Sequence, residues 1–253
     1  MKICTVQTEA VKRDIQKNIQ KHLALISEAV EKGADLIFFP ELSLTGYEPT
    51  LAEKLVMTVD DLRLDAFQVV SDAKEVVICV GISERGVKGI HISMVIFQPA
   101  KERVSYSKRY VHEDELPYFT EGDEQLLLKV KGCVIAPAIC YESLMPKHAE
   151  DAFEMGAEIY LASVAKPAHA VARAYKHYPE IARKYDMPVV MSNSTGFCDN
   201  FLSTGQSGIW GSNGELLAQL NETEEGMLIY DTGTNEVTRL RSSGVDKLRS
   251  GGV

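Results

Sequence analysis

Three residues that could serve as base, cation and nucleophile each close an apolar, strand-like run. They are Glu41 after "DLIFFP", Lys108 after "RVSYS" and Cys140 after "VIAPAI". A carboxylate, an ammonium and a thiol are the parts that acyl transfer needs. In open α/β sheets, ligand groups gather at the carboxyl ends of strands. Taken singly, each residue also has an ordinary reading. A glutamate after proline is commonly a loop acid or a helix cap. A lysine ending a strand is commonly an edge charge, and a cysteine in apolar company a small hydrophobe. Their shared placement is what points to chemistry.

The elements that must position them follow from periodicity. Residues 2–8 read as a strand. Asp14 then caps a helix whose apolar residues Ile15, Ile19, Leu23, Ile26 and Val30 recur at spacings of three and four. Gly33 ends it, and "DLIFFPE" follows as a buried strand. Further strands are expected over 75–83, 90–99, 103–108, 133–140 and 187–193, with helices from Pro146 to Met155 and over roughly 168–185. Residues 205–232 read as an antiparallel meander turning at Asn213-Gly214. "KGADLIFFPE" and "MGAEIYLASV" echo each other, which hints at two similar α/β layers. No linker composition divides the chain. One α/β domain is expected over 1–253, with a frayed tail over roughly 240–253.

Composition narrows the function classes. The chain has 253 residues, 45% hydrophobic and 25% charged, which is enough to bury a real core. A formal net charge of -9 lacks the basic footprint that nucleic acid or an anionic membrane requires. No apolar run reaches the length of a membrane span, and the first residues are too polar for a secretory signal. Cys4, Cys79, Cys133, Cys140 and Cys198 are odd in number, widely spaced and without a CxxC pair. A disulfide framework is therefore not expected, and a reduced cytoplasm fits. All but Cys140 read as packing residues.

Other chemistry is weaker. His112-Glu113-Asp114-Glu115 invites a metal reading, but consecutive side chains converge poorly on one ion and no second ligand cluster exists. His169 and His177 lie two turns apart on a helix and do not match the i,i+4 zinc pattern. A Cys–His protease finds no local signature around Cys140.

The three strand ends also carry a resemblance. "FFPELSLTGY" (38–47), "YSKRYVHEDELPYFTEG" (106–122) and "ICYESLMP" (139–146) resemble the glutamate, lysine and nucleophile motifs of the nitrilase superfamily of carbon–nitrogen hydrolases. "IARKYDMPVVMSN" and "GQSGIWGSNGELLA" are similar to its later strands, so the likeness covers roughly residues 2–232. The resemblance implies a four-layer α-β-β-α sandwich, at least a homodimer, and hydrolysis of a small-molecule amide without metal or organic cofactor. It makes Glu41 the acid/base, Lys108 the triad lysine and Cys140 the nucleophile. Glu115 falls where the family keeps a second glutamate, Tyr141 would lend its N–H to an oxyanion hole, and Glu142 is a structural acid. Lys108 and backbone dipoles near a helix start at Pro146 would favour the Cys140 thiolate. Many members place an arginine shortly after the cysteine, where this chain has Ser143-Leu144-Met145-Pro146. The alternatives are a nitrile or N-carbamoyl hydrolase with the same triad, or a non-catalytic ligand-binding member.

Overall fold

A computed structural model describes residues 1–241; from residue 242 on, the expected tail lies outside the described residues. The chain opens with β1 (Lys2–Gln7), α1 (Ile15–Glu31) and β2 (Leu36–Phe38). A short α2 (Ala52–Leu55) and α3 (Asp65–Lys74) lead to β3 (Val77–Arg85), β4 (Ile90–Phe97) and β5 (Val104–Ser107). Next come β6 (Leu128–Val130), β7 (Cys133–Ile139), α4 (Pro146–Glu154), β8 (Ile159–Val164), α5 (Ala168–Tyr185) and β9 (Val189–Asn193). The described chain closes with β10 (Thr195–Cys198), β11 (Phe201–Thr204), β12 (Gly208–Trp210), β13 (Leu216–Gln219), β14 (Gly226–Asp231) and β15 (Val237–Arg241).

These strands form two large sheets, ordered β15-β14-β1-β2-β3-β4-β5 and β13-β12-β9-β8-β7-β6. Each has three parallel strands at its centre, β1-β2-β3 in one and β7-β8-β9 in the other. The two echoing segments supply β2 and β8, so each feeds the parallel centre of its own sheet.

The period-two alternation of the strands sorts side chains into layers. On β7, Ile135 and Ile139 enter a core shared with Phe38, Ile92 and Leu228 of the other sheet. Ala136 and Ala138 face the opposite way, onto Ala149 of α4 and Ala174 and Tyr178 of α5. On β1, Ile3 joins the inter-sheet core while Cys4 and Val6 pack with Ile19 and Ile26 of α1 and Phe67 of α3. Thr5, on the inner face, donates to the Met191 carbonyl across the sheets at 2.8 Å. The result is the expected α-β-β-α sandwich.

Two expectations change in detail. The buried stripe of α1 is Ile15, Asn18, Ile19, His22, Leu25, Ile26 and Ala29, leaving Leu23 and Val30 only half-buried. Its polar members face the loop after β2: Asn18 donates to the Leu44 carbonyl at 2.9 Å, and His22 stacks on Phe39 at 4.0 Å. The meander also breaks up. β12 and β13 pair around the Asn213-Gly214 turn, but β14 crosses to the other sheet and pairs antiparallel with β1 along its whole length. The cause lies in the sequence of β14, where Met227, Leu228, Ile229 and Tyr230 are all buried. Such a continuous apolar run belongs between two strands inside a sandwich rather than on a half-exposed ribbon. Among the described residues, no helix is long and apolar enough to cross a membrane.

Candidate active site

Glu41 sits in the loop that leaves β2, pressed against β3. Phe39 N–H donates to the Cys79 carbonyl at 3.1 Å and Leu44 N–H to the Gly81 carbonyl at 2.9 Å. Leu42 adopts the left-handed region with φ 52° to make the turn. A Cβ on Gly81 would lie 2.4 Å from Leu42 N and 2.7 Å from the Pro40 carbonyl oxygen, so this packing requires glycine. From β8, Ser163 donates to the Phe39 carbonyl at 2.8 Å and ties the loop to the second sheet.

Lys108 follows β5 and is fully buried. Its Nζ donates to Glu41 Oε1 at 2.9 Å and to Glu115 Oε1 and Oε2 at 2.9 and 2.7 Å. Glu115 also accepts from the Tyr47 hydroxyl and the His112 N–H, both at 2.9 Å. The turn over residues 112–115 explains the apparent metal motif. Only Glu115 is carried inward, while Glu113 and Asp114 stay exposed. Among the described residues, no group of three or more His, Cys, Asp or Glu could hold a metal ion.

Cys140 lies just past β7, at the head of a single 3-10 turn, Cys140–Leu144, that separates the strand from α4. Its φ of 50° is left-handed, a strained conformation for a residue with a Cβ. Such a sharp strand-to-turn corner aims the side chain away from the sheet. The thiol faces the Ala165 carbonyl at 3.7 Å, and Ser143 Oγ donates to the Cys140 carbonyl at 2.6 Å. Tyr141, as second residue of the turn, has an N–H with no acceptor inside it. The turn, rather than the start of α4, therefore supplies the backbone donors near the cysteine.

Beneath this corner, Glu142 is fully buried and accepts from the Ile139 N–H at 2.6 Å, the Tyr106 hydroxyl at 2.7 Å and the Arg109 N–H at 2.6 Å. His148 continues the network, with its ring nitrogens 2.9 Å from the Tyr106 hydroxyl and 2.7 Å from that of Tyr160.

The sequence reading missed Lys166, two residues past β8. It is 2% exposed, and its Nζ lies 3.2 Å from the Cys140 carbonyl oxygen and 3.8 Å from Cys140 Sγ. A lysine just past a further buried strand, a fourth beside the three already noted, was the available signal. The hairpin of β10 and β11 was also missed; its Phe201 packs edge-on against Tyr47 at 5.3 Å, beside Glu115.

Glu41, Lys108 and Cys140 lie close enough for each to shift the protonation of the others. Burial raises the Glu41 carboxyl above its ordinary value, more than the Lys108 ammonium lowers it. Its Oε2 is buried without a hydrogen-bond partner. Burial also works against charge on Glu115, but Lys108 outweighs it and holds that carboxyl below the usual range. Burial disfavours charge on Lys108 too, yet Glu41 and Glu115 together keep it firmly protonated. Cys140 corrects an expectation. Burial, reinforced by Glu41, pushes its thiol up to about 12 against the pull of Lys166 and Lys108, so the resting residue is a thiol rather than a thiolate.

Comparisons with known proteins agree with this architecture. An amidase of Nesterenkonia sp. AN1 superposes with a TM-score of 0.83 at 20% identity, over 91% of this chain and 92% of that one. That structure carries acrylamide added to its active-site cysteine. The likeness establishes the fold alone. A nitrilase of Pyrococcus abyssi is 26% identical over 231 residues, 89% of this chain and 87% of that protein. The glutamine-dependent NAD(+) synthetase of Aquifex aeolicus is 28% identical over 240 residues, which is 90% of this chain. The chain spans about two fifths of the length of such synthetases, 41% in that case. A model of the carbon-nitrogen hydrolase family matches residues 2–242, and the chain belongs to that family.

Proposed function

We propose that the protein hydrolyses the C–N bond of a small carboxamide through an acyl-thioester on Cys140, releasing ammonia or an amine. The observation that carries this reading is the buried Glu41–Lys108–Glu115 cluster beside a cysteine held at a strained corner. Glu41, with its raised carboxyl, takes the proton from the Cys140 thiol as sulfur attacks the carbonyl carbon. The oxyanion that forms is met by Lys108 and the Tyr141 N–H, each donor being worth roughly 10²–10³-fold in rate. Protonation of Glu41 loosens its hold on Lys108, freeing an ammonium N–H at the moment the oxyanion needs one. Glu41 then gives its proton to the departing nitrogen. In the second half it removes a proton from water, which attacks the thioester and restores the thiol. Glu115, ionised throughout, orients Lys108.

Nitrile hydrolysis with the same residues is the second reading, favoured by the near full-length likeness to the Pyrococcus abyssi nitrilase. In either case the protein is read as a cytoplasmic homodimer or larger assembly, which sedimentation at micromolar concentration tests. The chemistry is tested by intact mass after mixing with short amides, nitriles and ureides. An acyl mass on Cys140, with free acid and ammonia accumulating from amides, supports the reading. Turnover of amides by Cys140→Ala at the wild-type rate would overturn it.

A further inference from the structure

Two buried ammonium groups flank Cys140, and their surroundings differ. Lys108 gives its N–H groups to two carboxylates, Glu41 and Glu115. Lys166 has only the Cys140 carbonyl oxygen and Sγ as side-chain partners among the described residues. Taking an ammonium out of water without a counter-charge is costly, by several kcal/mol per ion in real proteins. The backbone nevertheless fixes Lys166 firmly. Its N–H donates to Asn193 Oδ1 at 2.8 Å, and its carbonyl accepts from the Thr204 N–H and Ser203 Oγ, both at 3.1 Å. Strands β9 and β11 thus hold this lysine where its charge is uncompensated except by the cysteine.

The charge count gives that arrangement a purpose. Once Glu41 has taken the thiol proton it is neutral, Glu115 and Lys108 cancel each other, and the anionic sulfur of Cys140 is left as one uncompensated negative charge. Adding Lys166 brings the group to neutrality.

We propose that Lys166 is a second catalytic ammonium, which pairs with the Cys140 thiolate while Lys108 serves the oxyanion. This rests on Cys140 being the nucleophile. In the step concerned, the S–H bond breaks and its proton goes to a Glu41 carboxylate oxygen. The electron pair stays on Sγ, and Lys166 Nζ, already 3.8 Å away, becomes its counter-ion. No other bond changes. When the acyl group is bound the sulfur is neutral, and Lys166 favours its return as a thiolate leaving group in deacylation.

The test reads the sulfur without any substrate. Cys140 alkylation by iodoacetamide is followed by peptide mass from pH 6 to 10 in wild type, Lys166→Met and Lys166→Arg. Lys166→Met should slow modification near pH 7 by at least about tenfold, the effect of one pKa unit, and move its pH profile upward. Lys166→Arg, keeping the charge, should stay within a few-fold of wild type. Lys166→Gln replaces the methionine variant if that protein does not fold. Equal rates and profiles in wild type and a folded uncharged variant would overturn the proposal. The nucleophile assignment fails separately, through amide turnover that survives in Cys140→Ala.

Discussion

The backbone N–H of Arg109, next in chain to Lys108, donates to Glu142 Oε2 at 2.6 Å. The other oxygen of the same carboxylate accepts from the N–H of Ile139, the residue before Cys140, at 2.6 Å. One buried side chain therefore sets the distance between two strand ends that belong to different sheets. A glutamine can accept at only one of the two positions. Glu142→Gln should lower kcat by about tenfold or more, since sub-ångström misplacement of reacting groups is costly, while KM changes little. Steady-state kinetics on an amide decides it; unchanged kcat would remove Glu142 from the positioning of the site.

The same residue gives a pH dependence of stability. Burial pushes the Glu142 carboxyl up to about 7, against the hydrogen bonds from Ile139, Tyr106 and Arg109. Below its unfolded value of 4.5 the group is protonated in both states and its contribution is complete. As pH rises from there to about 7 the unfolded chain ionises first, so the contribution is lost. The stability advantage of wild type over Glu142→Gln should shrink by about 3 kcal/mol between pH 4.5 and 7.5. Urea unfolding of both proteins at the two pH values measures it. The comparison with the variant removes most of the contribution of other titrating groups.

Much of this architecture was legible in sequence because period-two strands and a capped helix announce themselves. Glu41, Lys108 and Cys140 stood out because each follows an apolar run, whereas Glu115 was picked out only by the family resemblance. What stayed hidden was supplied by tertiary contacts. Asn18 and His22 break the apolar period of α1 because they face a loop rather than a sheet. Lys166 went unnoticed because nothing local shows that Asn193 and Ser203 hold its backbone. The departure of β14 for the other sheet depends on which partner strand is vacant, a property of the whole sandwich.

Gly81 is a second position where geometry outside the reacting groups controls them. Its missing side chain lets the Pro40–Leu42 backbone touch β3, with 2.4 Å between a built Cβ and Leu42 N. Gly81→Ala must push that backbone away and carry Glu41 from Lys108. Stability should fall by about 1–3 kcal/mol, as overpacking usually costs, and turnover should fall by more than tenfold. Thermal unfolding and kinetics are the checks. A fully active, equally stable variant would show that the loop does not need this contact.

On the proposed mechanism, Glu41 sets the acid side of the rate profile. It must be ionised to accept the thiol proton, so activity is lost as pH falls through its raised pKa. The acid limb of kcat/KM should stand above the ordinary carboxylate range. Glu41→Gln should lower turnover by about 10²–10⁴-fold. Glu115 is one of the charges holding Glu41 up. Glu115→Gln should therefore move the acid limb to lower pH while also lowering kcat, because Lys108 loses its main anchor. A limb that stays in place, or moves upward, contradicts this assignment of the base.

Thiol chemistry separates the proposed nucleophile, Cys140, from its four companions. Cys4, Cys79 and Cys198 are buried, and burial raises all three thiols, Cys79 to about 12 and Cys198 to about 11. Cys133, expected to be hidden in its strand, is instead partly exposed, as Cys140 is. Iodoacetamide near neutral pH should therefore reach Cys133 and Cys140 only, and Cys133 modification should leave activity unchanged. A Cys133→Ser protein makes the remaining reaction clean: loss of turnover should follow one label on Cys140. Exposure alone is not enough for that label, since the resting Cys140 thiol is raised to about 12. In the proposed mechanism its proton goes to Glu41, so Glu41→Gln should slow the labelling as well as the hydrolysis. If Glu41→Gln is alkylated at the wild-type rate, the carboxylate is not the base that activates the sulfur. If Cys140 carries a full label while turnover persists, the strained corner after β7 is a structural turn and not a catalytic one.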